Sequence, residues 1–356
     1  MASEVYFSSI DSKKHKSPLD KLKKLINKCG VDKMFDKGEI IAVKTHFGEF
    51  GNTAFTRPIF LRPVIDKLKQ LGTKPFLTDT NTLYVGMRTN SADHLHNANL
   101  NGFNYSTLQT PIIIADGLRG DSGTDVKIDG EVLDSVKLAS DIASADGMIM
   151  VSHFKGHEVT GIGGAIKNLS MGCSCRQGKL DMHSDAKPTI VADLCTSCGR
   201  CLSFCASNAI DMTPKATIND NCTGCAMCIS VCPTGAIHIN WNASSASTQT
   251  KMAEYAKGVV TALDKKIIYL NIIMSVSPAC DCYPGNDRPV VGDIGFAASL
   301  DPVALDKACL DMVTKANHGI DPFAERYPKV DSDVQLSHAE KMGIGTKEYK
   351  LVTLSS

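Results

Sequence analysis

Two cysteine-dense stretches constrain what this chain can fold into more than anything else in it. "CTSCGRCLSFCASNAI" starts at Cys195 and "CTGCAMCISVCPTGAI" at Cys222. Each sets four thiols at one spacing: Cys195, Cys198, Cys201 and Cys205 in the first, and Cys222, Cys225, Cys228 and Cys232 in the second, where Pro233 follows. Two-residue gaps let a tight loop wrap three thiolates around one face of a metal centre. The fourth cysteine lies further along and is free to serve a neighbouring centre, so two such loops can exchange fourth ligands. The leading "MASEVYFSSIDSKKHK" lacks the apolar run of a secretory signal, and "IIYLNIIM" from Ile267 is too short to span a bilayer. A cytoplasmic chain is therefore expected. In that reducing setting its 14 cysteines point to metal ligation or redox chemistry rather than a disulfide framework.

The spacing is similar to that of two-cluster bacterial ferredoxins, in which the fourth cysteine ligates the other cluster. It assigns Cys195, Cys198, Cys201 and Cys232 to one [4Fe–4S] cluster, and Cys222, Cys225, Cys228 and Cys205 to a second. Structural zinc sites are the alternative, but they use two close pairs separated by a longer gap. Ala206 stands where proline follows the fourth cysteine of the second run. The repeat continues into "ASNAIDM" and "PTGAIHI", each an Ala-Ile step into a short strand. The unit spans residues 187–240 and has the small apolar content of a module held together by its clusters.

Around this unit, short apolar runs alternate with amphipathic segments. "EIIAVKTHFGE", "KPFLTDTN", "TPIIIADG", "DGMIMVSH", "KIIYLNIIM" and "PVVGDIG" read as strands. "RPIFLRPVIDKLKQLG" and "STQTKMAEYAKGVVTALDKK" read as helices, as does the segment that Asp301 caps before Pro302. The fold class is α/β, a mostly parallel sheet covered by helices, with residues 1–186 and 241–356 forming its two parts and the small α+β unit inserted between them. Basic and acidic residues balance at 38 each, which argues against nucleic acid or an anionic membrane as the main partner. Polar residues follow the apolar runs: Lys44 and His46, Asp79 and Asn81, Asp116, His153 and His157, Cys280 and Cys282, Asp293. Strand-to-helix loops are polar in any protein, yet ligands of open parallel sheets bind beyond these same strand ends.

"SHFKGHEVTGIGGAIKNLSMGCSC", from Ser152, fits neither the dinucleotide nor the P-loop fingerprint. A helix opening near Gly164 is expected to present N–H groups to an anion, with His153, Lys155, His157 and Lys167 around it; a tight structural turn with exposed basic residues is the plainer reading. Of the remaining cysteines, Cys29 and Cys309 fall on helical segments and read as small buried apolar residues. Cys173 and Cys175, and Cys280 and Cys282, form two C-x-C pairs. In extended backbone i and i+2 point the same way, so each pair can grip one metal. A third metal or iron–sulfur centre from these four is one reading, and free active-site thiols are another.

"THFGE", "DTNTLYVG", "HEVTGIGGAIKNLSMGC", "GKLDMHS", "ACDCY" and "GDIGFAASLDPVALDKA" together resemble the domain of unknown function 362 family, in the subgroup with an inserted two-cluster ferredoxin unit. The likeness covers nearly the whole chain and implies iron–sulfur architecture without naming a reaction. It points to Cys173, Cys280 and Cys282 as a ligand trio, completed by His157, His183 or an outside ligand. His157, Gly163, Gly164, Ala165 and Lys167 also resemble a stretch of the nickel-pincer lactate racemases, with Ile166 shifting the lysine by one place; this implies a shared scaffold. The expected function is a redox enzyme. In it the clusters pass single electrons from a redox partner protein to the cleft, His157 serves acid–base chemistry, and Lys167 and Lys44 bind a small anionic substrate. An electron carrier with a docking platform and a non-redox lyase or racemase are the alternatives. The sequence leaves flavin binding open.

Overall fold

The computed structural model describes residues 2–11, 17–84, 86–183, 187–239 and 244–354. Val85, Ser184 and Asn240, which belong to stretches singled out above, lie outside them. Eight strands form the main sheet: β1 (Ser3–Ser9), β2 (Ile40–Lys44), β3 (Lys74–Asp79), β4 (Ile112–Ile114), β5 (Gly147–His153), β6 (Ile267–Ile273), β7 (Gly295–Ser299) and β8 (Tyr349–Thr353). Their spatial order is β8-β1-β7-β6-β5-β2-β3-β4. Only β7 runs against the rest. The α/β, mostly parallel architecture is therefore what the chain adopts.

The strands read as continuous apolar runs because both sheet faces are covered. Ile41, Val43, Ile149, Val151, Ile268 and Leu270 face one core, which helices α1 (Pro18–Lys28) and α2 (Arg62–Gln70) close with Leu22, Leu25, Val64 and Leu68. Ala42, Met148, Met150 and Tyr269 face the other. That side is closed by α3 (Ala165–Ser170), α5 (Ser245–Ala262) and α6 (Pro302–Ala316); α4 (Arg176–His183) lies between α3 and the cysteine-rich segment in the chain. Asp301 caps α6 by accepting from the Val303 and Ala304 amides at 2.9 Å each. No helix among the described residues is long and apolar enough to cross a membrane.

One expected strand is displaced. "PVVGDIG" is irregular, and β7 begins only at Gly295. The segment instead folds back, the Val290 amide donating to Val276 and that of Ile294 to Ile273, while Asp293 accepts from the Ser275 amide. This tight return explains why β7 is antiparallel to β6: no helix intervenes to carry the chain back to the other end of the sheet.

Chain direction within the sheet positions the site. From β2 the chain moves outward to β3 and β4; from β5, the other neighbour of β2, it moves the opposite way to β6 and β7. The carboxyl ends of β2 and β5 thus flank the reversal point, where open α/β sheets form a ligand crevice. Between β5 and β6 lies the cysteine-rich segment. It holds two small antiparallel pairs, Thr189–Ile190 with Ile237–His238 and Ile210–Met212 with Ala216–Ile218. It has a small core of its own, to which Leu83 and Leu180 of the α/β part contribute.

Candidate functional site

The two cysteine runs form closely related loops. In each, the residues on both sides of the second cysteine are left-handed: Ser197 (φ 57°) and Gly199 (φ 74°) around Cys198, and Gly224 (φ 71°) and Ala226 (φ 58°) around Cys225. Such successive turns curl the backbone around a point, which is what bringing three nearby thiols together requires. Cys195, Cys198 and Cys201 line one pocket, and the cysteine that joins them is Cys232 of the other run. Cys222, Cys225 and Cys228 line a second pocket together with Cys205 of the first. Apolar side chains complete both walls, Ile190, Met212 and Ile237 in one, Ile210, Ile218 and Met227 in the other. The exchanged thiols accept backbone bonds, Cys205 from the Ala209 amide at 3.1 Å and Cys232 from the Ala236 amide at 3.2 Å. Although burial opposes it, these and neighbouring hydrogen bonds hold both thiols below their ordinary pKa, toward the thiolate.

At the crevice, residues from the ends of β2, β3, β5 and β6 meet. The loop after β6 carries Cys280, Asp281 and Cys282. Asp281 is wholly buried; burial alone would raise its pKa, but His153 and Lys155 beside it hold the carboxyl well below the usual range. His153 Nδ1 lies 3.0 Å from Asp281 while its Nε2 donates to the Met274 carbonyl at 2.9 Å. Gly156 lets the loops after β5 and β6 press together, since a Cβ there would sit 2.2 Å from the Pro278 carbonyl oxygen.

Cys280 is 2% exposed, and Lys167 Nζ lies 3.2 Å from its sulfur. A hydrogen bond with Cys282 favours its thiolate, burial opposes it, and Lys167 and Lys155 favour it, leaving the pKa well below that of an ordinary thiol. His46 Nε2 lies 3.5 Å from Cys282 Sγ and 2.9 Å from Arg88 Nη1. Its Nδ1 accepts from the Gly48 amide at 2.9 Å, and its Nε2 faces the donor-only guanidinium of Arg88 on one side and the Cys282 sulfur on the other. Burial and then Arg88 lower its pKa to about 4. His157 is arranged alike: Nδ1 accepts from the Val159 and Thr160 amides at 3.2 Å each, and burial followed by Lys167 lowers its pKa to about 3. His183, on α4, is also driven down to about 3 by burial and by His157 and Lys167. Arg88 is anchored by Glu49 at 3.0 Å and by the Tyr84 hydroxyl. No motif marks Arg88 in sequence, and Glu49 and Tyr84, although they fall within "THFGE" and "DTNTLYVG", are not singled out there; their contacts with Arg88 are what reveal them.

Lys44 points elsewhere. Its Nζ is wholly buried, 2.9 Å from Asp79 and 2.7 Å from Asn168 Oδ1. Asp116 accepts from the amide and side chain of Asn81. Cys173 donates to the Asn168 carbonyl at 3.5 Å, and burial pushes its pKa up to about 12. Cys175 faces the Lys137 carbonyl at 3.7 Å. Cys173 and Cys175 thus have different neighbours from Cys280 and Cys282. Among the described residues no three His, Cys, Asp or Glu side chains converge as a single-metal site. The α3 amides expected to meet an outside anion are already taken: Ala165 and Ile166 donate to Asp306 at 2.7 and 2.9 Å.

No curated protein matches the sequence. Two solved structures are similar in outline. One is the lactate racemase apoprotein from Thermoanaerobacterium thermosaccharolyticum, with 11% identity and a TM-score of 0.42 over 84% of this chain and 54% of that one. The other is a protein from Thermotoga maritima, with 8% identity and a TM-score of 0.42 over 85% and 58%. The chain therefore spans little more than half the length of either. Residues 41–311 match the family described as Domain of unknown function (DUF362), and the chain belongs to that family.

Proposed function

We propose that this chain is an iron–sulfur electron-transfer protein, with two [4Fe–4S] clusters in its cysteine-rich segment and a redox site in the crevice between β2 and β5. One observation carries the reading: eight cysteines divide into two cavities as three plus one, each run lending its last thiol to the other. The donor set suits a four-iron cube, because soft thiolates in an apolar wall with amide donors on sulfur are its usual surroundings. A bound [4Fe–4S] cluster supplies one-electron chemistry at a potential set by those surroundings.

The protein's own residues give the arrangement a direction. Cys198 is exposed, and Leu194 and Leu202, next to Cys195 and Cys201 in sequence, are 45% and 46% exposed. That face of the first cavity receives a soluble redox partner in a reducing, cytoplasmic setting. The second cavity faces the α/β part: Gln177 of α4 donates to the Thr223 carbonyl at 3.3 Å, and Leu180 packs on Gly224. The same helix ends at His183, beside His157 and Lys167. In the crevice Lys167 stabilises anionic sulfur or substrate, His157 offers its Nε2 proton, and Lys44 positions the floor from its ion pair with Asp79.

Exchange of the fourth ligand gives a selective test. Cys205→Ser should perturb the cluster of Cys222, Cys225 and Cys228, although residue 205 belongs to the first run. Electron paramagnetic resonance of anaerobically reduced Cys205→Ser and Cys222→Ser samples should show the same signal lost or altered, with the other intact in both. Damage in Cys205→Ser that matches a Cys195→Ser sample instead would refute the shared-ligand arrangement.

A further inference from the structure

Cys280 and Cys282 are separated by one residue, and that residue is among the most firmly held in the molecule. Asp281 is gripped by His153 and Lys155, and the Glu49 amide donates to its carbonyl at 3.0 Å. The backbone joining the two sulfurs is thus clamped from the β2 and β5 sides together. Around the sulfurs stand cationic and polar nitrogens: Lys167 Nζ donates to Cys280 at 3.2 Å, and His46 Nε2, 2.9 Å from the Arg88 guanidinium, lies 3.5 Å from Cys282. The other nitrogens of His46 and His157 accept amide protons, the reverse of a metal-bound imidazole, whose second nitrogen ordinarily donates. Donors and cations of this kind stabilise anionic sulfur and disfavour a metal cation.

We propose that Cys280 and Cys282 form a reversible dithiol–disulfide couple that reduces a disulfide substrate at the crevice. Cys282, the more exposed of the two, is the sulfur such a substrate reaches. Cys280, as thiolate, takes the proton of Cys282, whose sulfur attacks one substrate sulfur and expels the other as a thiolate. The Cys280 thiol then gives up its proton and its sulfur displaces the remaining substrate thiol. One S–S bond breaks in the substrate and one forms between Cys280 and Cys282; two substrate sulfurs leave carrying one proton between them. Two electrons and one proton restore the thiol–thiolate pair. Their source, a one-electron iron–sulfur donor, rests on the function proposed above. Two sequential transfers suit a donor module that lies against the crevice through α4.

The test uses the full chain, purified anaerobically and equilibrated with mixtures of reduced and oxidised glutathione. The samples are alkylated with iodoacetamide, and the peptide carrying Cys280 and Cys282 is weighed. The expected result is a peptide that gains no alkyl groups and is about 2 Da lighter in oxidising mixtures, and regains two groups in reducing ones. Its oxidised-to-reduced ratio should change tenfold per about 30 mV, as for a two-electron couple. Cys280→Ser and Cys282→Ser should each leave the surviving thiol glutathionylated instead of looped. Alkylation of both thiols in every mixture of the wild-type protein overturns the couple. Iron and sulfide assayed in the same samples separate the two claims. A looped peptide in iron-free protein supports the couple and overturns the cluster reading; about eight irons with both thiols always alkylated overturns the couple alone.

Discussion

Lys167 and Cys280 each make the other's buried charge tolerable. Lys167 is held above its ordinary pKa by the two cysteines against the opposing effect of burial, and Cys280 is held below its own partly by Lys167. Lys167→Met should therefore raise the pKa of Cys280, read as a pH profile of its alkylation by a small reagent displaced to higher pH; an unchanged profile would remove Lys167 from this role. His157 offers a second residue-level test. Its folded pKa of about 3 lies below the ordinary 6.5, so the unfolded chain binds more protons between those values and stability falls as pH drops through that window. Going from pH 7 to 5, His157→Asn should gain about 2 kcal/mol relative to the wild type in urea unfolding; parallel pH profiles would contradict this. Cys280 and Cys282 were legible in sequence because they follow a strand end, and Lys167 because it stands just after the glycine-rich run. Asp281 and Arg88 were not, because what defines them is partners more than 30 residues away: Lys155 for Asp281 and Glu49 for Arg88.

Helix α3 shows what short elements depend on. It has six residues, too few to be stable alone, and its first amides are satisfied by Asp306 of α6, which Asn271 of β6 also contacts at 2.7 Å. Gly164 is required by this cap, because a Cβ there would meet Asp306 Oδ1 at 2.2 Å. Asp306→Ala leaves two buried amides unpaired and should cost about 1–3 kcal/mol, read as a lower midpoint in urea unfolding; no change would deny the cap its structural role. The glycine-rich run announced a helix start, but the anion that meets it is internal and 140 residues distant, which no local pattern discloses. Strands β2 to β6 were readable from their apolar runs and the helix after Asp301 from its cap. β1 and β8, the latter the edge strand, were not, because their burial is partial and their pairing joins segments more than 340 residues apart.

At the scale of the whole molecule, chain order places both candidate centres. The strand sequence reverses between β2 and β5, so their loops share one crevice. The cysteine-rich segment leaves the sheet after β5 and the chain rejoins it at β6, the very strand whose following loop carries Cys280 and Cys282. The two cysteine loops were legible in the sequence because their spacing is local and repeated. The separate surroundings of Cys173 and Cys175 were not, because they arise from different partners, the Asn168 carbonyl of α3 for Cys173 and the Lys137 carbonyl for Cys175. The most direct measurement is iron and acid-labile sulfide per chain after anaerobic purification with ample iron and sulfide, read with the resonance spectrum of the reduced protein. About eight of each, with signals of two interacting [4Fe–4S] clusters, is the result this account requires; folded, colourless protein without iron would contradict it.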